Sequence, residues 1–183
     1  MNKLKLGPKV KFKKAKLPLK KKLVGNYTIL EPLNVSKHSK DLYSEYSKDK
    51  KNIIWTYLPY GPFKTYLNFR NWMKAFCLNK DPFFYSIYSK RHKKYCGMVS
   101  YLRIEPDHGS IEVGHINYSP LLQNSVEGTE TMYLMMKNAF EMALEQINAT
   151  GGINGQPVHL AYANDQGDPK AGEQAVESLA REE

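Results

Sequence analysis

Two side chains that could move protons lie three positions apart in the stretch SIEVGHINYS, residues 110 to 119. Glu112 would be a useful general base if burial raised the pKa of its carboxyl, and the His115 imidazole titrates close to neutral pH. The stretch alternates as a β-strand does, which predicts that the two side chains point to opposite faces of a sheet. Two plainer interpretations stay open: Glu112 pairs with a neighbouring lysine, and His115 is a structural histidine.

The stretch PLLQNSVEGT, residues 120 to 129, is a loop that leads into a helix. Backbone amides at the N-terminus of a helix have no intrahelical partner, and the helix dipole makes that end positive. Such a terminus can bind an anion such as a phosphate group. A loop followed by a helix is also an ordinary structural connection, so this pattern alone does not establish a site.

Aromatic side chains cluster in WTYLPYGPF, residues 55 to 63. The two prolines and one glycine of this stretch exclude regular structure, which predicts a loop between two helices. Trp55, Tyr57 and Tyr60 could line a pocket for a substrate, or they could pack against the core as ordinary loop residues.

The elements that must position these residues follow from hydrophobic periodicity. A helix over 35–47, with Ser36 as its N-cap, and a second helix over 63–78 are predicted. A third helix carries eight apolar side chains at helical spacing from Met132 to Ile147. Strands are predicted at 27–33, 82–89, 95–105, 110–119 and 157–163, with the polar turn KRHKK closing a hairpin, and a last helix begins at Pro169 with Asp168 as its cap. The strand at 157–163 would join the sheet as a parallel strand by a right-handed crossover.

The composition of the chain changes near Glu141. The 183-residue chain has a net charge of +9, but ten of its lysines lie in residues 1–22, and residues 142–183 hold seven acidic residues against two basic ones. We therefore predict a basic, flexible arm at 1–24, a folded domain at 25–141 and a separate segment at 142–183. No pattern of stacking aromatics accompanies the lysines, so we expect a solvated arm rather than one that binds nucleic acid. A basic protein that binds nucleic acid or the ribosome through this arm stays open as an alternative.

The two cysteines, Cys77 and Cys96, form neither a metal-binding pattern nor a disulfide framework, which fits a reducing compartment. No run approaches eighteen apolar residues, so no membrane span is expected. The basic N-terminus is not followed by an apolar core, which argues against a secretory signal. We expect a cytoplasmic, soluble protein without a metal; the sequence leaves its oligomeric state open.

Long phrases in the middle of the chain resemble the GNAT family, the acetyl-CoA-dependent N-acyltransferases, and within it a subgroup close to the ribosomal-protein acetyltransferases. The phrases include WTYLPYGPF, DPFFYSI, GMVSYLRIEPDHGSIEVGHINYSP and TETMYLMMKNAFE, and the resemblance covers about residues 7–141. It implies an α/β fold with a mixed sheet, in which an antiparallel meander and one parallel crossover strand are flanked by helices. It also implies transfer of an acetyl group from acetyl-CoA to an amine of a small molecule or a peptide.

The resemblance implies roles for the residues singled out above. Glu112 would be the base, directly or through a water, and His115 is the second catalytic candidate. The pantetheine arm of the cofactor would pair with the main chain of Ile116, Asn117 and Tyr118. Its pyrophosphate would be held by Gln123, Asn124, Ser125, Val126, Glu127, Gly128 and Thr129. The acceptor pocket would be walled by Trp55, Tyr57 and Tyr60.

One position departs from the common GNAT pattern Gln/Arg-x-x-Gly-x-Gly/Ala. Gln123 and Gly128 match this pattern, whereas Val126 stands where the first glycine is usual. The subgroup that the chain resembles also lacks that glycine, so the departure weakens the expectation of a pyrophosphate loop without removing it.

The tail resembles a different family. The phrase INATGGINGQPV, within residues 142–183, is typical of the first helix–strand–helix of periplasmic branched-chain amino-acid-binding proteins. The tail is therefore interpreted as a graft onto a truncated GNAT domain whose C-terminal strands are missing, which could impair turnover. The alternative function, a fragment of an ABC-transporter branched-chain amino-acid-binding protein, stays open.

Overall fold

The computed structural model of the chain describes residues 13 to 163 and 169 to 181. In this part of the chain five strands form one antiparallel sheet, in which each strand pairs with the next in sequence. The strands are Leu23–Val24 (β1), Thr28–Pro32 (β2), Phe83–Ser89 (β3), Lys94–Glu105 (β4) and Ser110–Tyr118 (β5). The helices are Val35–Tyr46 (α1), Tyr66–Phe76 (α2), Val126–Ala149 (α3) and Pro169–Arg181 (α4), with a 3-10 turn at Ile53–Trp55.

The sheet buries a hydrophobic core on each of its faces. Successive side chains of β4 point to opposite faces of the sheet, so Met98 lies in one core and Val99 in the other. The first core lies under α1 and α2 and includes Leu42, Phe69, Met73 and Phe84. The second lies under α3 and includes Tyr85, Tyr101, Leu134 and Met135. The predicted α/β class, an antiparallel meander flanked by helices, is confirmed.

The first helix begins where the sequence predicts, but a different residue caps it. Asn34 has an extended backbone, with φ −128 and ψ 112, and its side-chain oxygen accepts a hydrogen bond from the amide of Lys37 at 2.9 Å. This is the geometry of an N-cap, whose acceptor must sit just before the first helical residue. Ser36 already lies inside the first turn, so its prediction as the cap is wrong.

The predicted parallel strand at 157–163 does not form. These residues have no regular structure in the described chain and are largely exposed. The backbone of Val158 bonds a side chain instead of a strand, because Asn148 donates to its carbonyl at 2.8 Å and accepts from its amide at 2.7 Å. Alternating apolar residues make a strand only where another strand receives them, and this segment has no such partner among the described residues.

The chain divides into two compact units between Met142 and Ala143, inside α3. In the second unit α3 ends at Ala149. Just beyond it Gly152 has a left-handed backbone with φ 75, and its amide donates to the carbonyl of Ile147 at 3.0 Å. The helix predicted from Pro169 is α4, whereas its predicted cap, Asp168, lies outside the described residues. Within the described chain no helix has the length and apolar character that a bilayer crossing requires.

Part of the lysine-rich arm contacts the turn between β4 and β5. The amide of Ala15 donates to the carbonyl of Pro106 at 2.8 Å, and Lys14 pairs with Asp107 at 3.1 Å. Residues 1 to 12 of the arm lie outside the described residues.

One carboxylate of α3 holds the turn between β1 and β2. Glu130 accepts hydrogen bonds from the amides of Asn26, Tyr27 and Thr28, at 2.6, 2.8 and 2.7 Å, and from the Thr28 hydroxyl at 2.9 Å. The turn lies so close that a Cβ on Gly25 would come 2.4 Å from the Glu130 carboxyl carbon. Burial would raise the pKa of Glu130, but these hydrogen bonds outweigh it and lower the pKa.

Replacing Glu130 by glutamine therefore tests how strongly this contact stabilises the first unit. At pH 7 we expect Glu130→Gln to lower the free energy of unfolding by about 2 kcal/mol, since several charge-assisted hydrogen bonds are weakened together. The lowered pKa means that this stabilisation is complete above the unfolded-state pKa and is lost as the pH falls through the folded-state pKa. Urea unfolding of both proteins between pH 3 and 7 measures the difference.

Glu145→Gln, on an exposed part of the same helix, is the matched control and should leave the stability unchanged. A difference between wild type and Glu130→Gln that grew as the pH fell would contradict the assignment.

Candidate active site

Strand β5 carries one extra residue opposite β4. Ser100 of β4 pairs with Gly114, whereas Met98, two residues earlier, pairs with Asn117, three residues further on. The extra residue forms a β-bulge, where His115 has a left-handed backbone with φ 47. Side chains beyond the bulge therefore no longer follow the alternation of the first half of the strand.

The bulge brings Glu112 and His115 to the same face of the sheet. Val113 lies opposite Tyr101 and packs on the core under α3, so its neighbour Glu112 faces the α1 and α2 side. The His115 ring also lies on that side, where it contacts Phe84. The prediction that the two side chains point to opposite faces is wrong, because it assumed a regular strand.

His115 is enclosed by aromatic rings. Its Nδ1 lies 3.0 Å from the hydroxyl of Tyr60, and the two rings are stacked with centroids 5.5 Å apart. The rings of Phe84 and Phe76 lie at 5.3 and 5.6 Å. Burial lowers the pKa of His115 below the usual 6.5, and the charges of Glu112 and Asp81 oppose this effect in part. The imidazole is therefore neutral at pH 7 and able to accept a proton.

Glu112 forms an ion pair at the surface. Its Oε2 lies 2.7 Å from Nη1 of Arg103, and the two side chains are 45% and 75% exposed. Pairing with a neighbouring cation was the plainer interpretation of Glu112, and the cation is an arginine rather than a lysine. Such an exposed pair contributes little to stability, and it leaves the carboxylate on the same face of the sheet as His115.

The start of α3 presents a run of unused amide donors. Ser125 caps the helix: its hydroxyl accepts from the amide of Gly128 at 3.0 Å and donates to the carbonyl of Leu122 at 2.7 Å. The amide of Thr129 makes the next bond, to the carbonyl of Ser125. Among the described residues, the four successive amides from Asn124 to Glu127 have no hydrogen-bond partner. This cluster of donors at a positive helix end suits an anion such as a pyrophosphate.

Gly128 allows α3 to approach the preceding loop closely. A Cβ at this position would lie 2.5 Å from the carbonyl oxygen of Leu122 and 3.1 Å from the ring of Tyr118. The Tyr118 hydroxyl donates to the Gly128 carbonyl at 2.9 Å, which ties the end of β5 to the helix. Gly128 therefore lets the loop with the unused amides pack closely against the helix, while its own amide is already bonded to Ser125.

β5 is the last strand of the described sheet, so its outer edge is not paired with another strand there. At this edge Ile116 is 41% exposed. The carbonyl of Asn117 accepts from the Tyr46 hydroxyl at 3.1 Å, and that of Tyr118 accepts from the Gln123 side chain at 3.4 Å. The side-chain amide of Asn117 is fully buried, and neither of its polar atoms has a partner in the described chain.

The three aromatic residues of the loop before α2 take different positions. Trp55 is buried, with its ring 5.3 Å from Tyr46 and 5.4 Å from Phe63. Tyr57 is 98% exposed. Tyr60 alone of the three contacts His115, so the structure brings one of the predicted pocket residues to a predicted catalytic residue.

The chain is similar to solved structures of GNAT acetyltransferases. A GCN5-related N-acetyltransferase from Brucella melitensis is 30% identical, with a TM-score of 0.69 over 72% of this chain and 59% of its own. A candidate GNAT-family acetyltransferase from Chromobacterium violaceum is 28% identical, with a TM-score of 0.66 over 76% of this chain and 72% of its own. The resemblance predicted from the sequence is confirmed, and the first unit has the GNAT fold.

A candidate ribosomal-protein-serine acetyltransferase from Vibrio cholerae shares this fold at 13% identity, with a TM-score of 0.55 over 67% of this chain and 68% of its own. The present chain spans 59% of the Brucella melitensis structure. The relatives support a GNAT-type acyltransferase.

The end of the chain is similar to a second family. The sequence profile of a family described as periplasmic binding protein matches residues 128–183. No curated protein sequence matches the chain. The resemblance of the tail to periplasmic binding proteins is thereby confirmed as well.

The contact between Tyr60 and His115 and the bulge that produces it were missed by sequence reasoning. The two residues are 55 positions apart, and no local pattern links them. One signal was present for the bulge: Gly114 interrupts the strand pattern, and an isolated glycine inside a strand often marks such a site.

The shared face of Glu112 and His115 can be tested by NMR. Glu112 raises the pKa of His115, so Glu112→Gln should move the midpoint of the His115 ring resonances to lower pH. Asp107→Asn, in the turn before β5, is the matched control and should leave the titration unchanged. A titration midpoint that rose in Glu112→Gln, or that stayed at its wild-type value, would show that the Glu112 carboxylate is not close to the His115 ring.

Proposed function

We propose that the first unit is an N-acyltransferase that transfers an acetyl group from acetyl-CoA to an amine. The observation that carries this proposal is the run of four amides from Asn124 to Glu127, which have no hydrogen-bond partner in the described chain and lie beside the edge of β5 that no described strand covers. Unused donors at a helix end and an unpaired strand edge suit a ligand that carries both a pyrophosphate and an amide-containing arm. The likeness to GNAT acetyltransferases supports the same proposal.

The residues present fit acetyl-CoA, which would supply an activated acetyl thioester. The amides from Asn124 to Glu127 would hold its pyrophosphate. The edge of β5 at Ile116 would pair with its pantetheine arm, next to the unpartnered buried amide of Asn117. A backbone amide at this edge would donate to the acetyl oxygen as negative charge develops on it. Gln123 and Gly128 would position the loop and the helix and would not bind the ligand themselves. The Gln123 side chain and the Gly128 amide already donate to neighbouring protein groups.

Two groups could accept the proton that the amine must lose. His115 is neutral, lies in the bulge and is oriented by the Tyr60 hydroxyl. Glu112, which the family resemblance favours, is engaged by Arg103. We propose His115 as the base. The charge of Glu112 would then stabilise the protonated imidazole and offset part of the free-energy cost of burying it. Small-molecule or peptide amines are the proposed acceptors, and the cytoplasm is the proposed location.

Binding of CoA tests the proposed function most simply. CoA at a hundredfold excess over its dissociation constant should raise the free energy of unfolding by about 2.7 kcal/mol, visible as a higher melting temperature. Leucine forms the second arm of the experiment. A shift with leucine and none with CoA would favour the second candidate function, branched-chain amino-acid binding, for which the profile match at residues 128–183 is the specific observation.

A matched pair of variants links the shift to the start of α3. Gly128→Ala places a Cβ within 2.5 Å of the Leu122 carbonyl and should weaken the CoA shift strongly. Thr129→Ser, one residue further, keeps the hydroxyl and should preserve it. An equal shift of the melting temperature by CoA in both variants would show that the start of α3 is not part of the CoA site.

The choice of base is tested by acetyl transfer to a panel of peptide and small-molecule amines. His115→Asn should lower kcat by about a hundredfold or more, the usual contribution of a general base, with CoA affinity unchanged. Glu112→Gln should lower kcat less and shift the acidic limb of its pH profile downward, because the pKa of His115 falls. A larger loss in Glu112→Gln than in His115→Asn would make Glu112 the base.

A further inference from the structure

The turn between β3 and β4 concentrates positive charge. Residues 90 to 94 read KRHKK, and Lys90, Arg91 and Lys93 are exposed. Two of the five side chains are engaged: Lys90 donates to the carbonyl of Gly25 at 2.6 Å, and Lys94 pairs with Glu45 at 3.2 Å. Arg91 and Lys93 have no ion pair or hydrogen bond from their side chains within the described residues.

This basic turn lies at the same end of the sheet as the start of α3. Ser89, the last residue of β3, donates its hydroxyl to Glu127 in the first turn of α3 at 3.4 Å. The same hydroxyl accepts from the amide of His92, inside the turn, at 3.1 Å. A single serine thus bridges the basic turn and the helix end where the unused amides are found.

Two acidic side chains lie beside the turn, and neither cancels its charge at the surface. Glu127 is 3% exposed and lies under the turn, bonded to Ser89. Glu45 is buried as well and is shared by Lys48 and Lys94. The exposed charges of Arg91 and Lys93 therefore face solvent beside the helix end.

We infer that Arg91 and Lys93 bind the 3′-phosphate of CoA. This inference rests on the proposed function, since it assumes that the pyrophosphate lies on the amides from Asn124 to Glu127. CoA carries its pyrophosphate and its 3′-phosphate on the same ribose, so a group that binds one must lie close to a group that binds the other. A phosphomonoester carries about two negative charges at pH 7, which two flexible cations can match.

The test compares CoA with dephospho-CoA, which lacks only the 3′-phosphate, by isothermal titration calorimetry. Wild type should bind CoA about tenfold more tightly than dephospho-CoA, the effect expected of charge-assisted contacts to one phosphate. In Arg91→Gln/Lys93→Asn this ratio should fall close to one, with dephospho-CoA affinity unchanged. Asparagine suits position 93, where the backbone is left-handed with φ 53.

Lys74→Gln/Lys80→Asn removes the same charge near the opposite end of β3 and should keep the tenfold preference. Equal affinity of wild type for the two ligands, or a preference retained in Arg91→Gln/Lys93→Asn, would overturn this inference and leave the proposed function intact. Absence of binding by both ligands would overturn the proposed function, and this inference with it. Melting temperatures without ligand show that each variant is folded.

Discussion

The candidate site depends on one extra residue in β5. Because three residues of β5 span the distance of two residues of β4, His115 is forced into a left-handed backbone and turns toward the aromatic rings of the α1 and α2 core. Without the bulge His115 would face the α3 core, away from Glu112 and Tyr60. The bulge also leaves Ile116 at the open edge of the sheet, close to where β5 ends and the loop to α3 begins. One local irregularity therefore places a proton acceptor beside a strand edge that can receive a ligand.

The start of α3 is shaped by contacts of a similar kind. Ser125 satisfies one amide of the first turn, and the absence of a side chain at Gly128 lets the helix press against the loop. Glu130, one turn further along, anchors the helix to the β1–β2 turn through four hydrogen bonds. The helix is thus fixed at its beginning, and its remaining donors are held in place before any ligand arrives. Such preorganised donors are what electrostatic stabilisation of charge requires.

The sequence predicted the elements of the first unit well, because strands β2 to β5 and helices α1 to α3 show clear periodicity. It failed where the outcome depended on tertiary partners. The segment 157–163 has the alternation of a strand, but its backbone bonds the side chain of Asn148 instead. Ser36 and Asn34 are both good capping residues, and only the backbone geometry decides between them. The position of His115 needed the bulge, which strict alternation cannot reveal.

The amides from Asn124 to Glu127 and the edge of β5 are proposed to form one site for CoA. The most direct measurement is a titration of ¹⁵N-labelled protein with CoA, in which amide resonances are followed residue by residue. We expect the largest shifts at Asn124 to Glu127 and at Ile116, and small shifts along α1. Large shifts confined to other parts of the chain, or no shifts at saturating CoA, would contradict the account.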